Sequence, residues 1–233
     1  MLEIRGASPG LLDDPLLLDV SGAAPNAPLT WRARLRDDDG FVWRASADTP
    51  EGLLIAWAAA KPTAGPVAAL RSLRPVNVDV RVEAPDGAAS SRTITRTLLD
   101  GGARVRRWRD RVTGTLYLPA TTATTGLILA PSPSRDDAWA DTGRLSSLDV
   151  KGAPIAAALL ASRGVLVFAV TGGKGGDLAA AATEILHAVP SAPTRVRVAD
   201  ALPLPPGAGG GADPAAWDAL LADLGARPRR VAR

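Results

Sequence analysis

A β-sandwich followed by an α/β sheet is the fold class that this sequence predicts. Three observations predict it. Residues 29–35 alternate apolar and polar side chains with period two, and turn residues then recur at short intervals up to about residue 100. From residue 126 onward, short apolar strand-like runs alternate with helical stretches. The chain of 233 residues, 46% of them apolar, is long enough for two modest domains with real cores, divided as 1–100 and 101–233.

In the first part, Leu16-Leu17-Leu18-Asp19-Val20 is an apolar run broken at Ser21-Gly22 and Pro25-Asn26. Leu29, Trp31, Ala33 and Leu35 then share one face of a strand, and Thr30, Arg32 and Arg34 the other. Asp37-Asp38-Asp39-Gly40 supplies a hairpin turn, and Phe41-Val42-Trp43-Arg44-Ala45 is the returning strand. Asn77 to Glu83, a turn at Pro85-Asp86-Gly87, and Ser91 to Leu98 make a second hairpin. Trp31, Trp43 and Trp57 are expected to fill the core between the sheets. Strands this short at this spacing fit a small sandwich of immunoglobulin-like type.

In the second part, Ala103 to Trp108 and Val112 to Leu118 form a hairpin turned at Arg109-Asp110-Arg111. Gly126-Leu127-Ile128-Leu129-Ala130, stopped by Pro131, has the composition of a strand buried on both faces. Ala153 to Ser162 reads as a helix with Pro154 in its first turn and Gly164 as its stop. Val165 to Val170 is the second buried strand, and Asp177 caps a helix over Leu178 to Ala188. Pro203 to Gly211 is a loop, Asp213-Pro214 opens a last helix over Ala215 to Leu224, and Arg230-Val231-Ala232 begins a strand.

Composition excludes several chemistries. The absence of cysteine removes disulfides, thiolate zinc sites and cysteine nucleophiles. His187 is the one histidine, so a multi-histidine metal site is excluded and any Ser-His-Asp chemistry must use that imidazole. The 27 basic residues against 24 acidic ones leave a net charge of +3, and the signs are interleaved along the chain, which argues against nucleic acid as a partner. Met1 to Gly10 lacks the apolar stretch of a secretory signal, and no apolar run approaches the ~20 residues of a membrane span. The expectation is a cytoplasmic protein with no membrane partner.

The order of these features resembles the acyl-CoA thioester hydrolase and bile acid-CoA:amino acid N-acyltransferase family. The resemblance is carried by Leu12-Asp13-Asp14-Pro15-Leu16, by Leu29 to Asp37, and by Asp39-Gly40-Phe41-Val42-Trp43. It continues through Leu70-Arg71-Ser72-Leu73-Arg74-Pro75 and Arg111 to Pro119, so that it covers most of residues 11–119, and weakens to a Leu-Ala-Ser-Arg-Gly-Val pattern at Leu160 to Val165. It implies an N-terminal β-sandwich followed by an α/β-hydrolase domain, with an acyl-CoA or similar thioester as substrate and no cofactor.

Such chemistry needs a nucleophile on a Gly-x-Ser/Cys-x-Gly elbow, where a sharp strand-to-helix turn exposes the side chain beside backbone N–H donors. Gly6-Ala7-Ser8-Pro9-Gly10 has that spacing near the amino terminus, ahead of the sandwich strands and not in the α/β part, and no serine of residues 101–233 is framed that way. The resemblance implies that the elbow comes after a strand lying beside Gly126 to Ala130. With Arg230-Val231-Ala232 taken as that strand, nucleophile, acid and histidine all fall beyond Arg233, and the hydrolase domain is partial. Its central strand would then be a bare edge, so a second copy or a partner chain is expected to cover it. On these terms the chain alone does not cleave thioesters; the alternative is a non-catalytic binding or assembly protein built on the sandwich and half-sheet.

Few other side chains qualify as site residues. Ser132 and Ser134 occupy the place of the family's oxyanion loop, but Pro133 between them cannot donate an N–H. Gly172-Gly173-Lys174-Gly175-Gly176 lies between a strand and a helix, where a phosphate-cradling loop would sit, yet it matches no nucleotide fingerprint and also fits a plain connection. His187 fits a helix-end histidine, with no motif aiming it as a base. Arg104, Arg106, Arg107, Arg109 and Arg111 around Trp108 alternate between the faces of a hairpin, which fits a solvated strand edge better than a nucleic-acid patch.

Overall fold

The computed structural model describes residues 1–6, 10–61, 67–130, 153–173, 177–190, 192–199 and 201–230. Among them the fold is sheet-rich, with three sheets and three α-helices. The chain divides into two compact units, Met1–Leu98 with Leu204–Trp217 and Arg229–Arg233, and Leu99–Pro203 with Asp218–Pro228.

The first unit holds β1 (Glu3–Gly6), β2 (Gly10–Leu11), β3 (Leu18–Ser21), β4 (Thr30–Arg36), β5 (Val42–Ala47), β6 (Ala58–Ala59), β7 (Val76–Glu83) and β8 (Ala89–Thr97). β1 pairs with β3, and the others form a sheet in the order β2-β8-β7-β4-β5-β6, antiparallel except for β2 on β8. Period-two alternation puts Trp31, Ala33, Leu35, Trp43, Ala45, Val78, Val80 and Val82 on one buried face. Trp57, beyond a 3₁₀ turn at Glu51–Leu54, is buried as well. The alternate positions of β4, Arg32, Arg34 and Arg36, are exposed on the opposite face.

The β4–β5 hairpin is tied by one carboxylate. Asp37, 6% exposed, accepts from the backbone N–H groups of Asp39 (3.1 Å), Phe41 (2.8 Å) and Ala69 (3.2 Å), and from Trp43 Nε1 (2.9 Å). Four donors on one carboxylate fix the turn and the loop that crosses it. Further along, the chain returns to this unit after residue 203. Gly207 N–H donates to the Leu54 carbonyl (2.8 Å) and Ala68 N–H to that of Ala208 (2.9 Å). The sequence alone divides the chain once, near residue 100, because these backbone pairings between distant segments leave no local pattern.

The second unit holds β9 (Arg104–Arg109), β10 (Val112–Leu118), β11 (Thr125–Leu129), α1 (Ala153–Ser162), β12 (Leu166–Gly173), α2 (Leu178–Ala188) and β13 (Arg195–Ala199). Its sheet runs β13-β11-β12-β10-β9. β11 is parallel to both β12 and β13, and β10 is antiparallel to β12 and β9. All five residues of β11 and the first five of β12 are buried, so both faces of these strands are covered. Ile128, Phe168 and Val170 pack with Ala182 and Leu186 of α2. Ile155 to Ala161 of α1 are at most 2% exposed, as expected of a helix that is apolar all round.

Local chemistry sets the helix ends. Gly164, at φ +96°, donates to the Ala161 carbonyl (3.1 Å), and Val165 N–H to that of Leu160 (3.0 Å). This is the Schellman pairing that a residue without Cβ closes at least cost. Asp177 Oδ1 accepts from Ala180 N–H (2.8 Å) to cap α2. The last helix, α3 (Pro214–Leu224), begins with Asp213 Oδ1 accepting from the N–H groups of Ala215 (2.9 Å) and Ala216 (3.2 Å).

Two expectations need correction. The strand beside β11 is β13 and not Arg230-Val231-Ala232. Residues 225–230 form no strand, and Val231 to Arg233 lie outside the described residues. The physical reason is that the polar groups of this stretch are satisfied elsewhere: Arg163 Nη1 donates to the Pro228 carbonyl (2.7 Å), and Arg230 N–H donates to Asp14 Oδ1 (3.1 Å). β11 therefore has a strand on each side and is no bare edge.

Candidate functional site

The carboxyl ends of β11, β12 and β13 lie side by side, and ligands of open α/β sheets gather at such an edge. Ser132 and Ser134, which come after β11, lie outside the described residues, as do Lys174, Gly175 and Gly176. Gly172 and Gly173 end β12, in register with Thr113 and Val112 of β10. A Cβ on Gly173 would stand 2.5 Å from Leu178 Cδ2 and 2.9 Å from the Arg111 carbonyl oxygen. The close approach of β10 and α2 is thus enough to require glycine at that position. Around Gly172 the space is open.

His187 is exposed in the last turn of α2. No hydrogen bond or ion pair joins it to a serine or a carboxylate, and no catalytic triad is assembled, among the described residues. They also hold no group of three or more side chains fit to bind a metal ion. β9 is an edge strand with Arg104, Arg106, Arg107 and Arg109 exposed, and Arg106 lies over the Trp108 ring at 5.4 Å. That is the solvated edge expected for it, and charge on an edge strand opposes stray pairing.

Sequence reasoning missed β13. Its Arg195-Val196-Arg197-Val198-Ala199 alternates with period two, and that alternation is the signal that was there to find. Arg195 Nε donates to Thr125 Oγ1 (2.7 Å), and Arg197 pairs with Asp223 (2.7 Å). β13 ends at Ala199; Asp200 lies outside the described residues, and the chain continues as Ala201-Leu202-Pro203-Leu204-Pro205-Pro206.

A second missed feature is a buried charge cluster in the first unit. Asp13 is 0% exposed, Asp14 2% and Arg96 4%. Asp13 Oδ2 accepts from Trp217 Nε1 (2.7 Å), and Asp14 accepts from the N–H groups of Leu11 (3.2 Å) and Arg230 (3.1 Å). Arg96 donates to the Asp14 carbonyl, and Arg229 to that of Asp13 (3.2 Å). Burial pushes the Arg96 guanidinium down to about 10, against the pull of Asp14 and Asp13, so it stays charged at neutral pH. Held by these N–H donors, the two carboxylates staple chain segments together. The sequence signal is Asp13-Asp14 set between Leu11-Leu12 and Leu16, an acidic pair inside an apolar stretch.

The outer face of the six-stranded sheet carries a groove of about 870 Å³ lined by five arginines and one carboxylate, Asp79. Nothing in the linear order of residues marks it, because five separate strands build it.

Comparison with known proteins gives no relative: no family model matches the chain, and no curated protein matches it.

Proposed function

We propose that this chain has the architecture of the acyl-CoA thioester hydrolase and acyltransferase family, a sandwich followed by a hydrolase-type sheet, and that it binds or assembles without cleaving thioesters. The observation that carries this is the identity of the strand beside β11. In the sheet that the resemblance implies, this neighbour leads into the nucleophile elbow. Here the neighbour is β13, and past Asp200 the chain runs on as Ala-Leu-Pro-Leu-Pro-Pro, with no serine, cysteine or histidine among residues 201–206. No glycine frames Asp200, since the positions two before and two after it are Val198 and Leu202. An elbow needs small glycines on both sides of the nucleophile to turn sharply enough.

The hairpin β9–β10 leading antiparallel into β12, with β11 and β13 parallel to it, supports the hydrolase-type sheet. The antiparallel first unit with its tryptophan-filled buried face supports the sandwich. An acyl-CoA or similar thioester is the ligand of such a framework in the cytoplasm, and no helix among the described residues is long and apolar enough to cross a membrane. A second copy or a partner chain would meet the sheet at the outer edge of β13, where Val198 is 56% exposed.

The test is release of free thiol from palmitoyl- and choloyl-CoA by the purified chain, together with mapping of a serine-directed covalent probe. The expected result is thiol release no faster than in buffer and no labelled hydroxyl. Turnover that co-purifies with the protein, with one serine labelled, would overturn the proposal.

A further inference from the structure

The outer face of the six-stranded sheet brings like charges together and leaves one pair of them without a counter-ion. Arg34 of β4 stands directly opposite Arg44 of β5, and Arg32 directly opposite Arg81 of β7. The second pair is compensated, since both guanidiniums reach Glu83, at 2.8 Å from Arg32 and 2.7 Å from Arg81. Arg34 and Arg44 have no hydrogen-bond or ion-pair partner among the described residues. Asp79, opposite Arg34 across β4 and β7, accepts instead from Thr93 Oγ1 (2.7 Å). Two facing guanidiniums in a groove disfavour the free surface, and a ligand carrying two negative charges would relieve that.

We propose that this groove binds the phosphomonoester group of a small metabolite between Arg34 and Arg44. The inference is independent of the thioester proposal and stands or falls by itself. The chemistry selects the ligand. Two planar forks present parallel N–H donors, which match the three oxygens and near-double charge of a phosphomonoester. A single carboxylate satisfies one fork and leaves the other charged. The volume of about 870 Å³ lies in the range of small-molecule sites. No aromatic side chain lines the groove, because Trp31 and Trp43 alternate to the buried face of the same strands. A single-stranded nucleic acid would lack a surface on which to stack its bases.

The experiment is calorimetric titration of the full chain with glycerol 3-phosphate, at constant ionic strength, with acetate, an acidic peptide and oligo(dT) as parallel arms. Saturable binding of glycerol 3-phosphate is expected, with little heat from the other three. The variant Arg34→Gln/Arg44→Gln is expected to weaken it by about tenfold or more. Arg34→Lys/Arg44→Lys, which keeps the charge and removes the forks, should fall in between. Arg36→Gln, an exposed neighbour on β4 outside the groove, should bind as the wild type does. Unchanged melting temperatures would show that the variants fold, as expected for exposed side chains. Absence of saturable binding, equal affinity in the double glutamine variant, or tighter binding of the peptide or the oligonucleotide would each overturn the proposal.

Discussion

Arg96 lies 4% exposed with its guanidinium on the Asp14 carbonyl, and its Nε finds no partner among the described residues. The site bears the desolvation of that charge because the carboxylates of Asp13 and Asp14 are buried beside it. Removing the cation takes the most deeply buried positive charge away from those carboxylates, although Arg230 still stands 3.7 Å from Asp14. Arg96→Met is therefore expected to destabilise the fold by about 3–5 kcal/mol, read from chemical denaturation. The sign of its pH dependence comes from the value depressed to about 10, below the ordinary arginine range. Between the two the folded chain has shed the proton that the unfolded chain still holds, so stability rises with pH. Wild-type stability relative to Arg96→Met should climb as the pH rises above about 10, and a flat difference would exclude a buried charged arginine.

Elements whose limits are written in neighbouring residues were legible. Gly164 closes α1 and Asp177 caps α2 as their positions predict, and the alternation of residues 29–35 became β4 with Trp31 and Leu35 buried. Gly164→Ala puts a Cβ into a left-handed conformation and is expected to cost about 1–2 kcal/mol, seen as a lower melting temperature with the far-ultraviolet dichroism unchanged. β13 escaped notice because it is an edge strand. Arginines interrupt its valines, and it never shows the unbroken apolar run that announced β11. The opposite error arose at Arg230-Val231-Ala232, where a β-prone triplet suggested a strand. The backbone N–H of Arg230 goes to an aspartate 216 positions earlier, and local propensity carries no trace of such a partner. The same holds for the candidate site. The absence of an elbow pattern from residues 101–233 could be read from the chain, whereas the arginine groove needed the register of β4 with β5 and β7.

At the scale of the whole molecule, the first unit is discontinuous. Trp217 Nε1 closes on Asp13 across 204 positions, with Trp217 itself fully buried. Trp217→Phe keeps most of the ring packing and removes the donor, leaving a buried acceptor short of one N–H. The expected loss is about 1–3 kcal/mol by chemical denaturation, and an unchanged midpoint would count against this tie. The discontinuity also bears on birth at the ribosome. At roughly 5–20 residues per second, the last of the strands β1 to β8 is synthesised about 6–24 s before Trp217 is joined to the growing polypeptide. Throughout that interval the acidic pair near the amino terminus waits in water, and the nascent sheet cannot seal until translation has almost run through Arg230.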